Sequence, residues 1–150
     1  MRAVAYEQDF YGWTLEQAEL LQGQEFDKID REHLIEELRG MGARERRELV
    51  SRLRVLLMHL LKWQYQPQYI GRKSWERTIK TQRKEIGFHL EDNPGLRPEL
   101  EKAVARAYDL ALDDAEGETG LPRRLFPTEC PWTFEQIGQV DFWPEARGSI

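Results

Sequence analysis

The chain reads as an all-α protein, a single-domain helical bundle of about five main helices around a long central helix at about 43–66. Three observations predict this. Apolar residues recur at spacings of three and four along most of the chain. No convincing run alternates with the period of two that a sheet would need. Residues 43–66 contain neither Gly nor Pro and are dominated by good helix formers.

The first helix is expected at about 10–22, with Phe10, Trp13 and Leu21 near one face. WTLEQ (13–17) and WTFEQ (132–136) are near copies. Each offers Thr as N-cap, Glu in the first turn and Gln three residues after the cap, the pattern of a capping box. The Trp before each cap would then pack on Ala18 and Ile137 respectively as a hydrophobic staple. Asp9 is a second possible cap for the first helix. The second helix should follow Asp30, carry Leu34, Ile35, Leu38 and Met41 inward, and stop at Gly42.

The long helix from Ala43 to about Gln66 would span about 36 Å. Its first half, RERRELVSRLR, is amphipathic and cationic, while VLLMHLLKW is apolar almost all round, as at a helix end enclosed by other elements. Pro67 ends it. Ser74 is placed to cap a helix reaching about His89, which carries Trp75, Ile79, Gln82, Ile86 and Leu90 and should pack antiparallel to the long helix. DNPG (92–95) interrupts the chain, and Pro98 suits the first turn of a helix running to about Glu116. A surface connection, GETGLPRRLFPTECP, leads to a closing helix at WTFEQIGQV.

With 150 residues the chain can bury one sizeable core, and Gly, Pro and Ser never gather into a linker, so one domain is expected. Cys130 is the only cysteine, which excludes an internal disulfide and a tetrahedral cysteine zinc site. The longest apolar run, VLLMHLL, is far too short to cross a bilayer, so a cytoplasmic location without membrane association is the expectation. The net charge of −5 hides three blocks. Residues 1–42 hold 4 Lys/Arg against 10 Asp/Glu, residues 43–90 hold 12 against 4, and residues 91–150 hold 6 against 13. A cationic middle between anionic ends either binds a polyanion or is neutralised by the ends.

No phosphate-binding glycine loop, nucleophile elbow, HExxH helix or GxGxxG turn occurs. Of the serines, Ser74 reads as a cap, Ser51 lies within a helix and Ser149 is in the tail, which leaves no triad nucleophile. Glu129 beside Cys130 argues against a thiolate. HLIEEL (33–38) is a weak metal candidate, because His33, Glu36 and Glu37 share helical spacing. Too few ligands converge there, both acids should be hydrated, and neither a stoichiometric metal nor any cofactor is expected.

The densest polar and aromatic stretch is HLLKWQYQPQYIGRKSW (59–75). His59 and Trp63 are one helical turn apart, as are Leu60 and Gln64, so an imidazole and a carboxamide are built into an apolar face. Thr78, Gln82 and Arg83 on the next helix are placed to bond them, which would make a buried network fixing helix register. The competing reading is a binding site of His59, Trp63, Gln64, Tyr65, Tyr69, Arg72, Lys73, Trp75, Arg77 and Arg83, with rings and cations suited to a nucleic acid or other anion.

LIEELRGMG, ERRELVSRLRVLLMHLLKWQYQP and RKSWERTIKTQRKEI, with the flanking YEQDFYGW and FPTECPWTFEQIGQVDFWP, resemble the domain of unknown function 29 family over nearly the whole chain. The resemblance implies a compact all-helical protein and carries over no activity, cofactor or catalytic residue. The function expected is a non-enzymatic cytoplasmic binding module with a protein partner. A nucleic-acid binder using the basic segment 43–90 is the alternative, and a metal-dependent helical enzyme is the second.

Overall fold

In a computed structural model, described for residues 4–147, the chain is all-α, with five α-helices. Ser149 lies outside the described residues. Contacts divide the chain into two compact units, one up to Arg44 and one from Glu45 onward.

In the first unit, α1 (Phe10–Gln22) has the bounds expected, and of the two candidate caps it uses Asp9 rather than Thr14. Asp9 caps it, with Oδ1 accepting from the Gly12 N–H at 2.9 Å. WTLEQ therefore lies inside the helix. Thr14 donates to the Tyr11 carbonyl instead of capping, and Ala18 is exposed, so no staple forms. Trp13 and Gln17 are the buried residues of α1.

The helix α2 runs unbroken from Arg31 to Tyr65, 35 residues, about 52 Å at 1.5 Å per residue. The stop expected at Gly42 is absent. A glycine ends a helix by taking a left-handed φ, and among the described glycines only Gly120 does so. Gly40 and Gly42 stay helical because strong formers follow, at a cost of about 1 kcal/mol each. The inward stripe expected before Gly42 is also reversed. Leu34 is half-buried, while Ile35, Leu38 and Met41 are exposed.

In the second unit α2 is completed by α3 (Arg72–Asp92), a 3₁₀ turn (Pro94–Glu99), α4 (Leu100–Thr119), a 3₁₀ turn (Arg123–Leu125) and α5 (Phe134–Gly138). Pro98 lies in the 3₁₀ turn just before α4. Ser74 is not the cap of α3; its hydroxyl donates back to the Gly71 carbonyl from inside the first turn. Gly120 closes α4 at φ 76°, a conformation that favours glycine. The capping box of α5 forms as expected. The Gln136 N–H donates to Thr133 Oγ1, and the Thr133 N–H to Gln136 Oε1. Trp132 and Ile137 both enter the core.

Side-chain pairs set the helix directions. His89 lies against Glu45, Glu85 near Arg52, and Arg72 against Trp63, so α3 runs antiparallel to α2. Asp114 pairs with Arg54 and Glu118 with Lys62, so α4 runs parallel to it. Leu49, Leu53, Leu56, Leu57, Leu60 and Leu61 are fully buried between them. Ala103, Ala107, Ala111 and Ala115 give α4 a small-residue face that lets its backbone come close. The enclosed helix end read from VLLMHLL is present.

Arg83 ties the last segment to this bundle. It is 6% exposed, and its guanidinium donates to the carbonyls of Ile137 (2.7 Å), Val140 (3.4 Å) and Phe142 (2.7 Å). Arg83→Ala should cost about 3 kcal/mol or more, because carbonyls lose a charged donor in a poorly solvated place. Arg83→Lys should recover less than half of that, since an ammonium cannot reproduce the planar fork. Urea denaturation with an unchanged midpoint for Arg83→Ala would remove Arg83 from this role.

Candidate functional site

The sequence places its candidate site where α2 ends and α3 begins. Tyr65 is the last helical residue, Pro67 follows, and the chain turns through residues 66–71 into α3. Tyr69 lies flat on Trp75, with ring centres 4.9 Å apart and planes at 6°. A Cβ on Gly71 would meet the Tyr69 ring at 2.7 Å, so glycine makes room for this stack. Lys62 reaches this same stack, its Nζ 4.7 Å from the centre of the Trp75 ring and 2.9 Å from Glu118 Oε1.

Around the corner, the Arg72 guanidinium sits 3.7 Å above the Trp63 ring and donates from Nη2 to the Trp63 carbonyl at 3.0 Å. Trp63 also packs against Trp143 at 4.6 Å, and Tyr65 meets Phe126 edge-on at 4.9 Å. The Gln64 carbonyl accepts from the Arg147 N–H at 2.7 Å. Trp143, Phe126 and Arg147 were missed by the sequence reading. They come from a segment more than 60 residues away, and the aromatic density of DFWP was their only local signal.

The hydrogen-bonded network expected between α2 and α3 does not form as drawn. His59 is half-buried and donates from Nδ1 to the Val55 carbonyl of its own helix at 2.7 Å. Burial pushes its pKa down, and the Lys62 charge adds to that. Thr78 donates to the Ser74 carbonyl, and Arg83 serves the C-terminal segment. Gln64 Oε1, Arg72 Nε and Gln82 Oε1 are buried without a hydrogen bond among the described residues. Of the ten candidates, four form two pairs, Tyr69 stacked on Trp75 and Arg72 over Trp63, while Tyr65 meets Phe126 instead. Lys73 and Arg77 are exposed on α3.

The cationic middle is partly neutralised within the second unit. Arg54 forms a two-pronged pair with Asp114, at 2.6 and 2.8 Å, and Lys62 pairs with Glu118. Cys130 is half-buried, and burial pushes its thiol pKa up, the wrong direction for a nucleophile.

His33, Glu36 and Glu37 in the first unit do not converge. His33 Nδ1 is 2.7 Å from Asp30 Oδ2, which also accepts from the Trp13 indole at 3.0 Å. Glu37 is half-buried and accepts from the Tyr6 hydroxyl, and Glu36 is exposed. The Tyr6 ring stacks on His33 at 4.0 Å. Its hydrogen bond to Glu37 is the main reason its hydroxyl pKa is pushed up to about 12. The hydrogen bond to Asp30 raises the His33 pKa. For Asp30, burial alone would raise the pKa, but hydrogen bonds from His33 and Trp13 together outweigh it and lower it. No hydrogen bond joins this imidazole to a serine, threonine or cysteine among the described residues, so the pair lacks a nucleophile.

Two outcomes follow. By NMR titration His33 should ionise above, and His59 below, the ordinary histidine value of about 6.5. The charged Asp30–His33 pair then contributes stability that is lost as pH rises through the raised His33 value or falls through the depressed Asp30 value. His59 is preferred neutral, so its contribution fades as pH falls below about 6.5. Asp30→Asn should bring His33 back toward the ordinary value; the opposite order of the two histidines refutes both assignments. Labelled DNA or RNA oligonucleotides should bind only weakly at physiological salt, with Kd on the order of 10⁻⁴ M or poorer. Micromolar binding with a steep salt slope, reduced by replacing Arg72, Lys73 and Arg77 with Gln, contradicts that.

No helix among the described residues is long and apolar enough to cross a membrane. No curated protein and no solved structure matches the chain. The family model described as Domain of unknown function DUF29 matches residues 5–143. That match runs from the segment before α1 through Trp143, across all five helices, and the chain belongs to this family.

Proposed function

We propose that the protein is a non-enzymatic interaction module of the cytoplasm, and that the stripe Leu34, Ile35, Leu38 and Met41 of α2 is its contact surface for a protein partner. The reading rests on the reversed polarity of α2 before Arg44. At 100° per residue these four side chains fall within about 120° of one another, a single apolar stripe. Leu38 is 65% and Met41 56% exposed. The side of the same helix that adjoins this stripe, with His33 and Glu37, receives the internal contacts from Asp30 and Tyr6. Tyr11 and Leu15 of α1, one turn apart, are exposed as well.

Covering a Leu or Met side chain is worth about 1.5–3 kcal/mol, so a stripe left in water is a ready source of binding free energy. A protein partner is favoured over a nucleic acid because Arg54, Lys62, Arg72 and Arg83 are engaged by carboxylates, rings and carbonyls. Stacking surfaces are engaged too, with Trp75 under Tyr69 and Trp63 under Arg72.

Leu38→Glu tests this. The substitution should change folding stability by no more than about 0.5 kcal/mol, since the side chain is exposed. It should also abolish the partner recovered by wild type from native cytoplasm. A large drop in melting temperature, or a recovered partner indifferent to Leu38→Glu, defeats the proposal. Nucleic acid enriched in place of protein does so as well.

A further inference from the structure

Far from the aromatic corner, α2 and α3 bring Glu45, Glu48 and His89 together so that one donor atom from each lies within 4.8 Å of the others. The two glutamates are three apart on α2, so they share a face. His89 comes from the last turn of α3 and is 8% exposed. A cleft of about 370 Å³ opens beside them, also lined by Arg52, Glu85 and Asp92.

The imidazole geometry goes beyond a collection of acids. His89 Nε2 is 2.9 Å from the Glu45 carbonyl oxygen. A carbonyl only accepts, so Nε2 carries the hydrogen, and in the neutral ring Nδ1 presents a lone pair. Nδ1 makes no hydrogen bond among the described residues, and Glu48 Oε2 faces it at 3.5 Å. Two acceptors that face each other across this gap need a positive charge between them. Tetrahedral coordination at metal–ligand distances of 2.0–2.1 Å sets neighbouring ligands about 3.4 Å apart, close to the separation seen here. A ring N–H donated to a backbone carbonyl is also the usual way a metal-ligating histidine is oriented.

We propose that Glu48, His89 and Glu45 bind one divalent transition-metal ion, of the zinc class, which pins the crossing of α2 and α3. Nδ1 of His89 and Oε2 of Glu48 are the first two ligands. The Glu45 carboxylate, whose Oε2 is 3.6 Å from Nε2 on the other edge of the ring, supplies the third by turning toward Nδ1, with one donor atom from each of the three residues already within 4.8 Å of the others. The fourth position opens on the cleft. Arg52 is the opposing charge: it pairs with the other Glu48 oxygen, Oε1, at 3.1 Å and lies 3.8 Å from Glu85. Glu45, Glu48, Glu85 and Asp92 outnumber it, so the cleft still favours a cation. One nitrogen and two carboxylates suit zinc, manganese or ferrous iron over calcium or magnesium. This departs from the expectation of no cofactor, which weighed only HLIEEL. Glu45 and His89 lie 44 residues apart, and no motif of the sequence joins them.

The test uses the full chain without a histidine tag, stripped with a chelator and titrated with zinc chloride by calorimetry, with cobalt absorption as a second probe. One equivalent should bind with a Kd of about 10 µM or tighter, and the melting temperature should rise with added zinc. Because His89 is buried and its replacement would disturb the fold as well as the site, the diagnostic variants are Glu45→Gln and Glu48→Gln. Each should weaken binding at least about tenfold, in line with the loss of a ligand or its support. The double variant should bind nothing measurable while keeping its helical circular dichroism. No uptake by wild type overturns the proposal, as does uptake unchanged in the folded double variant.

Discussion

From Leu56 to Leu61 the helix α2 is apolar around nearly its whole circumference, and the unit from Glu45 onward is organised by the need to cover it. A helix with one apolar side needs one neighbour, whereas this one needs neighbours all round. In the core around α2 from Leu49 to Leu61, α3 contributes Ile79, Ile86 and Leu90, α4 Val104, Leu112 and four alanines, and the C-terminal segment Phe126, Trp132 and Ile137. α5 has only five residues and could not hold itself helical in isolation. Its capping box sets where it begins, and burial of Ile137 gives it a reason to remain.

Covering such a segment from short, irregular chain creates a second problem. The backbone from Ile137 to Phe142 presents carbonyls that no helix satisfies, and a buried carbonyl without a donor costs about 1–3 kcal/mol. Arg83 meets three of them with one planar group. Burial lowers its pKa, yet a guanidinium starts so high that it stays charged. Lysine in the same place would face a real choice between desolvation and neutrality. Lys62 shows the other solution: its stem is buried while its ammonium reaches the half-exposed Glu118. Lys62, Arg72 and Arg83, three of the cations in the basic middle, are thus used to place polar backbone and aromatic rings.

The same five-residue pattern gives two outcomes, which marks how far local reading extends. WTFEQ starts a helix at Thr133, whereas WTLEQ lies inside one, because Asp9 caps four residues earlier and its carboxylate takes the Gly12 N–H. Gly42 was read as a stop by residue type, but ending a helix takes a left-handed backbone and something to gain from it; Ala43, Arg44 and Glu45 gain more by continuing. Bounds of α1, the end of α2 at Pro67 and the antiparallel α3 were legible because each rests on composition over a turn or more. At the aromatic corner the sequence identified Trp63, Arg72 and Trp75, and could not supply Trp143 or Arg147, which reach it only through the fold.

The stripe of α2 before Arg44 shows why periodicity is half of an argument. A spacing of three and four locates an apolar face, and says nothing about what lies opposite it. In this unit Asp30 decides the matter. It accepts from His33 and from the Trp13 indole, and its own N–H donates to Gln17, so one residue at the start of α2 binds the helix to α1 through its polar side. Tyr6 extends that side by stacking on His33 and donating to Glu37. Such groups lose most of their value in water and gain it in a partly buried setting. Once they face inward, helical geometry turns Ile35 and Leu38, 100° or more away around the helix, outward. The exposed stripe is therefore the geometric complement of a polar contact that the unit uses internally.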